Sequence, residues 1–126
     1  MGNGGPENRK SKRINASFTV SCKLDKMMET HLWIGDREVE ALIMDLSDLG
    51  MAIVTRANIP VGTILSINFT LINFKASSDK RTRPMQVTGE IRSSAADGHE
   101  HRLGICFTHI GSEDKEAIRE FVADMA

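Results

Sequence analysis

The chain has 126 residues, with 16 Lys and Arg against 17 Asp and Glu and a net charge of −1. That length fits one domain, and 40% hydrophobic residues are enough for a compact core. The balance excludes a protein basic overall. No apolar run approaches a membrane span, no signal-peptide pattern opens the chain, and a cytoplasmic protein without membrane insertion is expected.

Residues 1–8, MGNGGPEN, are rich in Gly and Asn and lack periodicity, so a disordered tail is expected. Pro6 stands where a myristoylation signal needs Ser or Thr. The segment 9–13, RKSKR, concentrates positive charge, which favours an anionic partner met locally. In ASFTVSCKL, Phe18, Val20 and Cys22 alternate with Thr19, Ser21 and Lys23, the pattern of a half-buried strand. Two strand-like pieces then flank Gly35-Asp36, a hairpin dipeptide, and the second runs from Val39 to Leu46. GMAIVT reads as a short strand and NIPVG as a turn. TILSINFTLINF reads as a long strand with Leu65, Ile67, Phe69 and Leu71 on one face. KASSDKRTRP reads as a basic loop. MQVTGEIRSS follows as a strand with Met85, Val87, Gly89 and Ile91 on one side. AADGHEHR is expected to be a turn. LGICFTHI is a strand with Leu103, Ile105 and Phe107 on one side. The period then becomes helical: Ala117, Ile118, Phe121, Val122 and Met125 form one stripe, behind Ser112 as N-cap and Glu113 and Asp114 in the first turn. Six or seven antiparallel strands and one C-terminal helix, without intervening helices, point to an all-β barrel or sandwich.

Cys22 and Cys106 lie far apart in strand-like runs, and two buried reduced thiols are expected. His99-Glu100-His101 sits in a turn without further ligands nearby in sequence, so no metal site is assigned. Trp33 reads as a core or hairpin aromatic. No catalytic set is visible, and no enzyme and no cofactor are expected.

Two clusters carry chemistry. Arg9 and Arg13 are four residues apart, with Lys10 and Lys12 between them. A guanidinium grips phosphate at two points, stacks on a base, or pairs with the O6/N7 edge of guanine. By itself the segment reads first as a solvated basic tail. The second cluster is Asp45-x-Ser47-x-x-Gly50, within MDLSDLGMAI. An ionised Asp accepts hydrogen bonds only, so it complements the N–H edge of guanine. A Ser hydroxyl donates or accepts beside it, and Gly allows positive φ and close backbone approach. Asp45 and Ser47 share parity, so they point to the same face if the strand continues through them. The alternative is a side-chain-closed turn ending a strand.

In this order, around the first strands of a small β domain, the two clusters resemble the PilZ domain family, marked by RxxxR followed by [D/N]xSxxG. The likeness extends from residue 9 to about residue 122 and takes in LGICFTHIGSEDKEAIREFV as last strand and helix. It implies a six-stranded antiparallel β-barrel with one C-terminal α-helix, in a single domain over 9–126: arginine segment 9–13, barrel about 16–110, helix about 112–125. It also implies binding of the bacterial second messenger cyclic di-GMP. Arg9 and Arg13 would grip phosphate and guanine, Asp45 and Ser47 would hydrogen-bond guanine, and Gly50 would leave room. Lys10, Lys12 and Arg92 are supplementary candidates, Arg92 as a stacking residue. The stretch from Arg13 to Asp45 is longer than the family pattern, and the extra length is assigned to Asp25–Trp33 as an insertion or helical bulge.

Hydrogen bonds to charged groups contribute about 1.5–3 kcal/mol each, and a micromolar ligand needs about 8 kcal/mol. Four such contacts plus stacking reach that figure if only residues 9–13 are ordered on binding, at roughly 1–2 kcal/mol per fixed residue. Binding would thus fold the arginine segment over the barrel and alter a surface seen by an effector protein not named by the sequence. The readings that compete are a small barrel binding single-stranded nucleic acid, and a ligand-free interaction adaptor. Against the first, the chain has one Trp and no Tyr for base stacking, and no nucleic-acid partner is expected.

Overall fold

The computed structural model describes residues 22–73, 75 and 81–125. Six strands are present there: β1 (Cys22–Ile34), β2 (Arg37–Leu46), β3 (Gly50–Thr55), β4 (Ile64–Ile72), β5 (Thr82–Asp97) and β6 (Glu100–His109). One helix, α1 (Ser112–Met125), follows. The strands close into a barrel in the order β1-β2-β3-β6-β5-β4, and every pairing is antiparallel. The expected six-stranded antiparallel barrel with one C-terminal helix is therefore the observed fold. The tail 1–8 and the arginine segment 9–13 lie outside the described residues, as does the run from Ala16 to Ser21.

Alternation builds the core. Leu65, Ile67, Phe69 and Leu71 of β4 point inward, as do Met85, Val87 and Ile91 of β5 and Leu103 and Ile105 of β6. Each lies one step from an outward residue because successive side chains on a strand face opposite ways. Two inward polar residues are satisfied by backbone: Thr30 donates to Asn68 C=O at 3.0 Å, and Thr55 to Glu40 C=O at 2.9 Å. The barrel is plugged at both ends. Ile59, on the β3–β4 connection, is buried at one end. Ile118, Phe121 and Val122 of α1 join the same core from the other side.

Several local expectations are corrected. The DKMMETHLW stretch is not a helical bulge; it is part of β1. Its extra length is taken up in the register, where Lys23 pairs with Asp45 and Met28 with Ile43, five residues on β1 against two on β2. The AADGHEHR turn shrinks to Gly98-His99, because Asp97 pairs with Glu100 and Ala95 with Arg102. Gly98, at φ 65°, makes the reversal, so β5 and β6 extend as an exposed hairpin arm. Thr82-Arg83-Pro84, expected in the basic loop, opens β5. The first helical bond runs from Lys115 N–H to Gly111 C=O at 2.9 Å, which puts the cap at Gly111 rather than Ser112. Cys106 is half-buried on the outer side of β6, not in the core. Phe107 is likewise only partly buried against the core.

Candidate functional site

β2 has a bulge at its C-terminal end. Ile43 pairs with Ile53 but Asp45 with Ala52, so Met44 is one residue too many. The consequence is a switch of faces. Val39, Ala41 and Ile43 point inward, and after the bulge Leu46 does so, fully buried, in place of Asp45. Asp45 is thereby delivered to the outer face, half-buried.

The chain then reverses through Ser47-Asp48-Leu49-Gly50. Ser47 N–H donates to Gly50 C=O at 2.9 Å. The Ser47 hydroxyl accepts from Leu49 N–H and Gly50 N–H, both at 3.2 Å, and lies 3.3 Å from Gly50 C=O, to which it donates. The turn reading of Ser47 is thus observed directly: both lone pairs and the proton are engaged in closing it. A guanine contact at Ser47 requires giving up one of these bonds.

Gly50 has a role, but not through positive φ, which belongs among the described glycines to Gly35, Gly62 and Gly98. A Cβ on Gly50 would collide with the Ile105 carbonyl oxygen and come within 3.3 Å of Cys106 Cα. Gly50 pairs with Cys106, and its missing side chain lets β3 approach β6 closely.

Outside the barrel, a floor of small residues extends from this turn. Asp45 pairs with Ala52, Ala52 with Gly104, and Gly104 with Ser93. A Cβ on Gly104 would meet the Ser93 hydroxyl, which fixes both on the same outer face. The Asp45 carboxylate stands at one edge of this floor. Arg92 lies at the β5 edge, in a second bulge between Ile91 and Ser93. It is exposed, and its Nε is 3.5 Å from Glu90 Oε1.

Arg9, Lys10, Lys12 and Arg13 lie outside the described residues. Their point of attachment is defined. β1 starts with Cys22 opposite Leu46 and Lys23 opposite Asp45, so the chain enters the barrel beside the Asp45–Gly50 turn.

Sequence reasoning missed Asp48. Arg119 Nε donates to Asp48 Oδ2 at 2.9 Å, and the Asp48 side chain is only 14% exposed. Hydrogen bonding and charge at Asp48, then at Glu116, hold the Arg119 guanidinium above its ordinary value. α1 is tied down elsewhere too. Arg83 Nε donates to Asp114 Oδ1 at 2.9 Å, Asn73 Nδ2 to Asp124 Oδ2 at 2.8 Å, and Lys75 Nζ to Asp124 C=O at 2.6 Å. Nothing in residue spacing signals these pairs, which join positions 31 to 71 residues apart.

A groove of about 540 Å³ lies toward the opposite end of the barrel, lined among others by Glu29, His31, Glu38, Glu40, Arg56 and Glu100. His31 Nδ1 is 2.6 Å from Glu38 Oε2 within it. It includes none of Asp45, Ser47 and Gly50.

The fold is shared with solved structures. The inhibitor of motility MotI/DgrA of Bacillus subtilis superposes with a TM-score of 0.71 at 18% identity, over 89% of this chain and 52% of that one. The Borreliella burgdorferi PlzA protein, in complex with c-di-GMP, gives 0.61 at 19% identity, over 89% and 41%. The PilZ domain of YcgR from Escherichia coli, with c-di-GMP, gives 0.61 at 15% identity, over 90% and 92%. The chain thus spans about half the length of the first two and nearly all of the third. Comparison with curated proteins gives no match. The PilZ domain profile matches residues 7–124, from before the arginine segment almost to the end of α1, and the chain belongs to the PilZ domain family.

Proposed function

We propose that the protein is a bacterial, cytoplasmic receptor for cyclic di-GMP that works as an adaptor rather than an enzyme. The observation that carries this reading is the pairing of Lys23 with Asp45. It sets the start of β1, eight intervening residues along the chain from Arg13, beside the carboxylate that the β2 bulge turns outward. Eight residues, 14–21, separate Arg13 from Cys22. Nine extended steps reach at most about 30 Å, so the guanidinium groups are within range of a ligand lying on the Asp45–Gly50 turn.

In this reading Asp45 accepts from the N1–H and N2–H₂ groups of a guanine. Ser47 holds the turn that presents Asp45 and offers its hydroxyl to the base by exchanging a turn bond. Gly50 keeps the turn close to β6. Arg9 and Arg13 pair with phosphate and stack on the base, with Lys10 and Lys12 adding charge. The complexes with c-di-GMP formed by the Borreliella and Escherichia relatives support the choice of ligand. Ligand binding orders residues 9–13 over the barrel and presents a new surface to an effector protein.

Calorimetric titration of cyclic di-GMP into the wild type, Arg13→Ala and Asp45→Ala tests the proposal. Micromolar binding that weakens about 30-fold or more in each variant is expected, from ~2 kcal/mol per lost charged contact. Unchanged affinity in both variants would sink it. Absence of binding together with a salt-dependent affinity for oligonucleotides would favour a nucleic-acid-binding barrel instead.

A further inference from the structure

A second cation faces the outer floor from β6. Arg102 pairs with Val54 on one side and Ala95 on the other, and it is exposed on the outward side of its strand. Its side chain crosses β3 toward β2. Nη2 lies 3.6 Å from the sulfur of Met44, the bulge residue next to Asp45. Among the described residues, Arg102 takes part in none of the ion pairs, whereas Arg92 is engaged by Glu90 and Arg119 by Asp48. The result is a carboxylate on β2 and an unneutralised guanidinium reaching in from β6, with Ala52 of β3 between their strands.

We infer that Arg102 is a base-reading residue that selects guanine jointly with Asp45; the inference rests on the cyclic di-GMP reading above. With its Nη2 beside the Met44 sulfur, the Arg102 guanidinium lies over β3 close to Asp45, so a base hydrogen-bonded to Asp45 turns its neighbouring edge toward it. Asp45 takes the N1–H/N2–H₂ edge. The neighbouring edge of the purine carries O6 and N7, the acceptor pair that the planar fork of an arginine matches in two-point contact. Small residues at 52 and 104 leave the ring room to lie between them. Adenine fails at both ends: it has no N1–H for Asp45, and it presents an N6 amino group where the guanidinium needs an acceptor.

The test is titration of cyclic di-GMP and of cyclic di-AMP into the full chain and into Arg102→Ala, Arg102→Lys, Asp45→Ala and Arg37→Ala. Arg37 is exposed at the β1–β2 hairpin and controls for loss of one positive charge. Arg102→Ala should weaken cyclic di-GMP binding about tenfold or more and lower the preference for guanine over adenine. Arg102→Lys, which keeps the charge without the fork, should restore neither, and Arg37→Ala should behave as wild type. Wild-type affinity in Arg102→Ala, with binding lost in Asp45→Ala, overturns the role of Arg102 and leaves the receptor reading standing. Recovery of both affinity and preference in Arg102→Lys overturns the base-edge assignment. A wild-type chain that binds neither dinucleotide overturns both readings.

Discussion

Arg119 Nε and Asp48 Oδ2 are 2.9 Å apart, and this contact joins helix α1 to the turn between Ser47 and Gly50. Asp48 sits inside the motif without being one of its defining positions. It couples the Ser47–Gly50 turn to the element that caps the barrel end. Burial of Ile118, Phe121 and Val122 holds the helix on the core, and the ion pairs set its position along the rim.

Arg119→Ala should therefore loosen the rim without unfolding the barrel. Amide hydrogen exchange is expected to rise in residues 47–50 and along α1 while the protected strands stay unchanged. The guanidinium stays charged at any pH compatible with folding, being held above its ordinary value by Asp48. Added salt, rather than alkaline pH up to about 10, is what should imitate the substitution. Exchange rates insensitive to both the substitution and salt would show that the pair holds nothing.

Ser47→Ala removes the acceptor for two backbone N–H groups, those of Leu49 and Gly50. A loss of about 1–3 kcal/mol is expected from their desolvation, less where water reaches the turn. Ser47→Thr keeps the oxygen and should keep most of the stability. Urea denaturation of the two variants measures the difference, and equal stability in both would mean that the hydroxyl does not hold the turn.

Gly50→Ala places a methyl group against the Ile105 carbonyl. Backbone cannot rotate away as a side chain can, so a cost of about 1–3 kcal/mol or more is expected. A melting temperature equal to wild type would contradict the close approach of β3 and β6.

Phe121→Ala empties the contact between α1 and the barrel end, where Phe121 is 3% exposed. Cavity formation should cost about 3–5 kcal/mol, a large share of the 5–15 kcal/mol typical of a domain. Denaturation with the unchanged slope of a single transition would show that helix and barrel still unfold together.

The inward rows of β4, β5 and β6 were legible in the sequence because the strand period is two and the buried partners are Leu, Ile, Val, Met and Phe. The apolar stripe of α1 was legible for the matching reason at a period of 3.6. Asp45, Ser47 and Gly50 were legible as a group through their spacing, and the turn at Ser47 with them, while the reason for Gly50 was not. Gly50 was read for its freedom of φ, but its neighbour across the sheet is what excludes a side chain. Ser47 had two readings, a ligand contact and a turn, and its hydroxyl closes the turn as the second has it. The helix cap fell one residue from the expected Ser112: Ser is the better N-cap by local propensity, yet Gly is among the residues accepted there, and the Lys115–Gly111 bond decides between them.

Sequence by itself determined the inward faces, the C-terminal helix and the motif that marks the family, and left six or seven strands open. All of these depend on local periodicity or on residues close together in the chain. Only the tertiary structure decided which strands pair, where the bulges fall and what meets across the barrel. The Met44 bulge turns Asp45 outward, and it exists only in the register against β3. Arg119 finds Asp48, and Arg102 reaches toward Met44, because barrel closure brings distant positions together. These contacts depend on register and closure, which are properties of the assembled sheet and leave no periodic trace in the chain.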